Sequence, residues 1–274
     1  MATPSAPATA PATPTPMPTI RLGNVTVSRL ILGSNPFFGF AHRGGDALAE
    51  AMKAYYTDDR IMAVMDEAAG LGISAVAAPP YERWIDLWAR YRAGGGKLAT
   101  WIAQPDPEPR RMRKAITAAG RGGAAAAFVQ GARADDQFER RQFDVLTGWL
   151  KLIRSFGIPA GLASHWSTTH AEYERRDLPA DFFFQCFYNP RDNETYDPAD
   201  HDANSAAVAG ITRPVIGYKI LAAGRKPGRE SFDFALRRLR AKDGVCVGFY
   251  PPENPAMLAQ AARLTVELSA RAGG

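Results

Sequence analysis

The sequence predicts a closed parallel barrel of eight strand–helix units, and three observations predict it. Short apolar segments with strand-forming composition recur eight times, and amphipathic segments at helical spacing lie between them. Polar residues also stand at the C-terminal ends of otherwise apolar strands: Gln104 after Leu98-Ala-Thr-Trp-Ile-Ala, His165 after Gly161-Leu-Ala-Ser, Gln185 after Phe182-Phe-Phe, and Lys219 after Val215-Ile-Gly-Tyr. In a parallel barrel such ends converge on one face, where barrel active sites are built.

The elements follow in order. Residues 1–19 are built almost entirely from Met, Ala, Thr, Pro and Ser with no basic side chain, which predicts a disordered tail rather than a targeting signal. Residues 19–28 place strand formers on both sides of Gly23-Asn24 and read as a small hairpin that would plug the bottom of the barrel. Strands are predicted at 29–33, 74–78, 98–103, 124–129, 160–164, 181–187, 215–220 and 245–250. Helices are predicted at 58–71, 82–92, 108–119, 136–156, 169–176, 199–209, 230–241 and 255–272. Gly-rich segments after several helices, such as Gly94-Gly-Gly and Gly120-Arg-Gly-Gly, fit helix ends leading into the next strand. The first strand–helix connection, 34–57, is long, contains a short helical stretch near 46–54, and reads as a lid rooted at Asn35-Pro-Phe-Phe-Gly-Phe-Ala-His42. The rival is an open doubly wound sheet, which would want a Gly-rich phosphate loop, and no GxGxxG is present. Residues 20–274 are therefore expected to form one (β/α)8, or TIM, barrel domain.

Composition narrows the function classes. The formal charge is +5, but the 33 basic residues are interspersed with 28 acidic ones, and the densest basic runs, 110–114 and 237–242, read as solvated helix faces rather than a nucleic-acid surface. The two cysteines, Cys186 and Cys246, lie in predicted strands without CxxC spacing and are expected to be reduced and buried. No apolar run approaches the roughly 20 residues of a membrane helix, so a cytoplasmic protein with a small-molecule substrate is expected.

Leu22-Gly-Asn-Val-Thr-Val-Ser-Arg-Leu-Ile-Leu-Gly33 resembles the opening of aldo/keto reductases. Gly161-Leu-Ala-Ser-His165, Phe182-Phe-Phe-Gln-Cys-Phe-Tyr-Asn189 and Ile216-Gly-Tyr-Lys-Ile-Leu-Ala-Ala-Gly224 resemble that family's fifth, sixth and seventh strands. The resemblance spans nearly the whole folded region, weakly at each point. It implies a nicotinamide cofactor, NAD(P)H, held by the positions Ser164, His165, Gln185 and Tyr218. The family's acid–base residues are not all matched. Ala77 stands in the place of the Asp, Tyr81 is displaced by one residue, the third strand ends in Gln104 with no Lys, and Phe249-Tyr-Pro-Pro-Glu-Asn254 lacks the basic phosphate clamp. A tyrosine with no cation or carboxylate relay is a poor acid–base group at neutral pH. The chain thus resembles a divergent subgroup without the standard tetrad; it is also similar to a bacterial group sharing the Gly33-x-Asn-Pro-Phe, Gly-Leu-Ala-Ser-His and Lys-Ile-Leu-Ala-Ala-Gly-Arg segments.

Two groups at the expected mouth can carry or exchange charge. His165 can move protons near neutral pH, against the alternative of a hydrogen-bonded packing residue. Lys219, an ammonium in an apolar strand, needs a partner or a depressed pKa; it reads as a Schiff-base nucleophile, a general base or an anion clamp, against a side chain that snorkels outward. Strand alternation points Tyr218 and Lys219 in opposite directions unless the strand end bends. Asn35, His42, Gln104, Gln130, Gln185, Tyr188 and Asn189 offer neutral hydrogen-bonding groups, and Arg225 follows Ala222-Ala-Gly224, where barrels often hold an anion. Phe37, Phe38, Tyr81, Trp84 and Tyr188 are candidate pocket walls. That set suits a sugar-like or hydroxy-carbonyl ligand better than a metal, for which no strand end supplies an Asp/Glu pair; a metal site would have to be assembled from His42, His165 and Asp135. Three readings follow: a lyase or isomerase using His165 and Lys219, with Tyr81 as a further acid–base candidate; an NAD(P)H-dependent oxidoreductase with a non-standard tetrad; and a non-catalytic metabolite-binding barrel.

Overall fold

The computed structural model describes residues 16–188 and 198–271, with the side chains of 198–200 and 271 left aside. Two short strands, β1 (Thr19–Leu22) and β2 (Val25–Ser28), pair antiparallel as a hairpin. Eight parallel strands follow: β3 (Leu30–Gly33), β4 (Ala75–Ala78), β5 (Thr100–Ala103), β6 (Ala126–Val129), β7 (Ala160–Ser164), β8 (Phe182–Cys186), β9 (Val215–Tyr218) and β10 (Gly244–Gly248). They close in the order β3 to β10, with β10 paired back onto β3 through Val245–Leu30 and Gly248–Gly33. The predicted barrel is therefore the observed one. The part of the predicted tail at residues 1–15 lies outside the described residues, and Thr19 already belongs to β1.

The helices are α1 (Gly45–Tyr55), α2 (Asp58–Gly70), α3 (Glu82–Ala93), α4 (Pro109–Arg121), α5 (Gly131–Glu139), α6 (Phe143–Arg154), α7 (Thr169–Arg175), α8 (Pro198–Ala206), α9 (Gly228–Arg238) and α10 (Met257–Arg271). In α4, Met112, Ile116 and Ala119 at helical spacing face the barrel while Arg110, Arg111, Arg113 and Lys114 stay exposed, so this basic run is a solvated face. One expected helix, 136–156, is two. Arg141 adopts φ 56°, a left-handed conformation that ends the helix between Glu139 and Phe143, and α5 starts five residues earlier than its apolar pattern suggests, directly at the end of β6.

Alternation along the strands separates two cores. Ile31, Ala75, Ala77, Ile102, Ala126, Phe128, Ala163, Phe182, Phe184 and Ile216 fill the lumen. Their neighbours, among them Leu30, Val76, Trp101, Val129, Leu162 and Phe183, pack under the helices. Ile20, Leu22 and Val27 of the hairpin join the lumen cluster, so the hairpin does plug the bottom of the barrel. Beside it, the seam is tied by a buried polar network. The Asp243 carboxylate accepts hydrogen bonds from Val215 N at 2.8 Å and Arg240 Nε at 2.7 Å, and the buried Arg29 guanidinium donates to the Asp243 and Arg240 carbonyls at 3.0 Å. Arg240, read from sequence as a surface charge, belongs to this network. Of the two free cysteines, Cys186 is buried and Cys246 is partly exposed, on the lumen side. No helix among the described residues is long and apolar enough to cross a membrane.

His170, at the start of α7, is fully buried, stacks on Phe183 with ring centroids 4.4 Å apart, and donates from Nε2 to the Phe184 carbonyl at 3.0 Å. Burial pushes its pKa down to about 4. The unfolded chain therefore binds more protons than the native one between about pH 6.5 and pH 4, so native stability falls as pH drops through that window. Chemical denaturation from pH 7.5 to 4.5 should show that loss, with His170 contributing up to about 3 kcal/mol, and His170→Gln should flatten part of it; a pH-independent midpoint contradicts the assignment.

Candidate functional site

The cavity at the C-terminal face of the barrel has a volume of about 780 Å³. Its floor is apolar: Phe128 and Phe184 stack with centroids 3.9 Å apart, between small neighbours Ala77 and Ala163. Two residues further along each strand the same alternation delivers Gln104 after β5, Gln130 after β6 and His165 after β7, and all three line the cavity.

His165 is set by Asp135. The strand-end residue Ser164 points the other way, into the helix layer, where its Oγ donates to Asp135 Oδ1 at 2.7 Å. Asp135 Oδ2 accepts from the His165 backbone N–H at 3.1 Å and from His165 Nδ1 at 2.8 Å. A carboxylate only accepts, so the neutral imidazole carries its proton on Nδ1 and Nε2 is left as the acceptor, with no protein partner among the described residues. The Asn204 amide holds the His165 carbonyl at 3.0 Å, and the Tyr218 hydroxyl holds the Ser164 carbonyl at 3.2 Å. Asp135 is only 5% exposed, so its charge is stabilised by these donors rather than by water. In the sequence Asp135 enters only as part of a hypothetical metal set. Among the described residues no three His, Cys, Asp or Glu side chains form a metal-binding group. The available signal was spacing: Gly131, Ala134, Asp135 and Phe138 form an i, i+3, i+4, i+7 stripe in which a carboxylate is the odd member.

Lys219 follows the last residue of β9 and adopts φ 55°. This left-handed turn is the bend on which the sequence argument depended, and it allows Tyr218 and Lys219 to line the cavity together. Burial lowers the Lys219 pKa, and the nearby Cys186 and Asp135 pull the other way. His42 arrives from the long first connection and accepts a hydrogen bond from the Asn35 amide at 3.2 Å. Its pKa is pushed down to about 4, first by burial and then by the basic groups around it, Lys219 foremost, so it is neutral at physiological pH. Asn35 and His42 both line the cavity, and Arg225 Nη1 fixes this connection by donating to the His42 carbonyl at 3.1 Å. The cavity lining also includes Lys226, Arg229 and Arg263.

Other residues singled out from sequence sit elsewhere. Tyr81 does not line the cavity; its hydroxyl donates to Asp106, and burial raises its pKa, which makes it a weaker acid than an ordinary phenol. Gln185 alternates outward with Phe183 and gives its amide to the Cys186 carbonyl at 3.1 Å. Tyr188 stacks on His201 at 3.6 Å, away from the cavity. Arg225 serves the loop rather than the cavity wall, and Ser164 is behind His165. Asn189 lies outside the described residues. Of the proposed aromatic walls, Phe37 and Trp84 are buried in the outer core and Phe38 packs against Tyr81, while Phe40, 42% exposed, lines the mouth.

No protein-family model matches the chain, and no curated protein sequence matches it. Solved structures do. A putative aldo-keto reductase from Pseudomonas aeruginosa is 19% identical with TM-score 0.59, over 90% of this chain and 94% of that one. A glycerol dehydrogenase from Gluconobacter oxydans is 15% identical with TM-score 0.57, over 93% and 95%. An N-acetylneuraminic acid synthetase from Leptospira borgpetersenii is 14% identical with TM-score 0.56, over 94% and 91%. The chain has an aldo/keto reductase-like (β/α)8 barrel, and at these identities the likeness is one of fold.

Gly131 sits where a side chain has no room: a Cβ there would lie 2.8 Å from His165 Cε1 and 2.9 Å from the Tyr218 hydroxyl. Gly131→Ala should displace the imidazole and lower stability by about 1–3 kcal/mol, read as a drop in Tm; an unchanged Tm and an unchanged His165 ring signal would show the contact to be slack.

Proposed function

We propose that the protein is an enzyme that performs proton-transfer chemistry, as a lyase or isomerase, on a small hydroxy-carbonyl or sugar-like substrate at the barrel mouth. The observation that carries this reading is the Ser164–Asp135–His165 array, with Nε2 of the imidazole left as a base in an apolar-floored cavity. A proton acceptor oriented by a buried carboxylate is poised to take a proton from carbon next to a carbonyl or from a hydroxyl, and Asp135 then stabilises the imidazolium. Lys219, beside it, faces the carbonyl oxygen or carbon, where negative charge develops. Gln104, Gln130 and Asn35 supply donors and acceptors for hydroxyl groups, and the neutral His42 adds one more without adding charge. Tyr81 has no part in this reading, because it is committed to Asp106.

A second reading, an NAD(P)H-dependent oxidoreductase, is favoured by the size of the cavity and by the basic Lys226, Arg229 and Arg263 in its lining, of which Arg229 is paired with Glu267. Of the four residues assigned to the nicotinamide ring by resemblance, two fit it poorly: Ser164 is bound to Asp135 and the Gln185 amide faces outward, while His165 and Tyr218 line the cavity. No hydride step is therefore assigned.

Deuterium uptake from solvent into short ketoses, aldoses and hydroxy acids, followed by proton NMR, tests the first reading. His165→Gln and Asp135→Asn should each slow uptake by about 100-fold or more. Absence of uptake with every compound, together with quenching of tryptophan fluorescence by micromolar NADPH, would support the second reading instead; binding without turnover of any kind would make the barrel a metabolite-binding protein.

A further inference from the structure

Lys219 opens a stretch of backbone unlike the rest of the barrel. Lys219, Ala222 and Ala223 have φ values of 55°, 48° and 54°, and Gly224 follows at 85°. Left-handed conformations cost non-glycine residues on the order of 1 kcal/mol or more each, and three in five residues is a concentration of strain of the kind that marks functional sites. The effect here is specific. Alternation along β9 would send the Lys219 side chain toward the outer helices, and the left-handed turn brings it to the cavity wall.

No carboxylate lies within ion-pair distance of Lys219 among the described residues; its acidic influences are the Cys186 thiol and Asp135, and that carboxylate already accepts three hydrogen bonds from Ser164 and His165. A lysine serving only to hold an anion is best left charged and accessible, whereas this one is mostly buried and shares the lining of an apolar-floored cavity with the neutral imidazole of His42 and with the His165 base. Desolvation lowers its pKa, which enlarges the fraction present as free amine.

Resting on the acid–base reading above, we infer that Lys219 is a covalent nucleophile that forms an imine with the carbonyl group of an aldose or ketose substrate. The Nζ lone pair attacks the carbonyl carbon, a C–N bond forms, and the C=O π pair moves to oxygen, which takes one of the two Nζ protons to give a neutral carbinolamine. His165 Nε2 accepts a proton from the adduct nitrogen and returns it to that hydroxyl, the C–O bond breaks, and water leaves. The amine and the carbonyl thus give an imine and one water, and one further proton on nitrogen gives the iminium. That cation is the electron sink for the carbon–hydrogen or carbon–carbon cleavage that His165 would promote. The substrate class narrows accordingly to compounds with a free or ring-opened aldehyde or ketone.

Incubation of the wild-type protein with dihydroxyacetone or glyceraldehyde and sodium cyanoborohydride at pH 7, followed by peptide mass mapping, tests the inference without relying on a variant fold. The expected result is a reduced C–N adduct on Lys219 ahead of the exposed Lys97 and Lys242. Labelling of those surface lysines with none on Lys219 would overturn it. Deuterium uptake distinguishes the two levels of the account: uptake that depends on His165 and persists in a folded Lys219→Arg variant rejects the imine and leaves the acid–base reading standing, whereas loss of uptake in that variant with a wild-type melting curve supports both.

Discussion

The site depends on one buried carboxylate. Asp135 is taken out of water at the top of the barrel, and its cost of desolvation is offset by three donors that it holds in turn: the Ser164 hydroxyl, the His165 amide and the His165 ring. Because the two donor residues are consecutive at the end of β7, satisfying the charge fixes both the strand end and the imidazole. Gly131, four residues before Asp135, provides the space in which the ring stands. The helix that carries Asp135 starts directly at the end of β6, with the Gln130 side chain capping Arg133 N at 3.2 Å, so neighbouring strand ends are coupled through a single connection.

The cavity follows from side-chain size on one face of alternating strands. Alanines at 75, 77, 126 and 163 leave room in the lumen that Phe128, Phe182 and Phe184 take up together with Ile31, Ile102 and Ile216. Above them the strands end, polar side chains take the next inward positions, and the connection from Asn35 to α1 covers one side. Stability is concentrated at the opposite end, where the hairpin and the Arg29–Asp243–Arg240 network close the seam between β3, β9 and β10. This division leaves the mouth free to carry strained backbone and underpartnered charge.

Much of this was legible in the sequence. The short apolar runs located all eight barrel strands, the polar residues that end them pointed to Gln104 and His165, and Gln130 was named among the neutral hydrogen-bonding groups. Gln185 ends a strand in the same way but faces outward, because its position relative to Phe182 and Phe184 is odd where that of His165 relative to Gly161 and Ala163 is even; the parity could have been counted. Asp135 was hidden by a helix boundary, since the apolar pattern started the helix one residue after it. Lys219 needed knowledge of its φ angle, which nothing in Gly-Tyr-Lys-Ile announces, and Tyr81 could be discounted only once Asp106 was seen to claim it.

The account therefore rests on the tautomer and orientation of one histidine, and that is observable without knowing the substrate. Long-range ¹H–¹⁵N correlation of histidine-labelled protein, with His165 assigned by its absence in His165→Gln, reads it directly. The account predicts an Nδ1–H held by Asp135, with a downfield Nδ1 proton that is lost in Asp135→Asn; a neutral tautomer protonated at Nε2 instead, or a ring indifferent to Asp135→Asn, would contradict it.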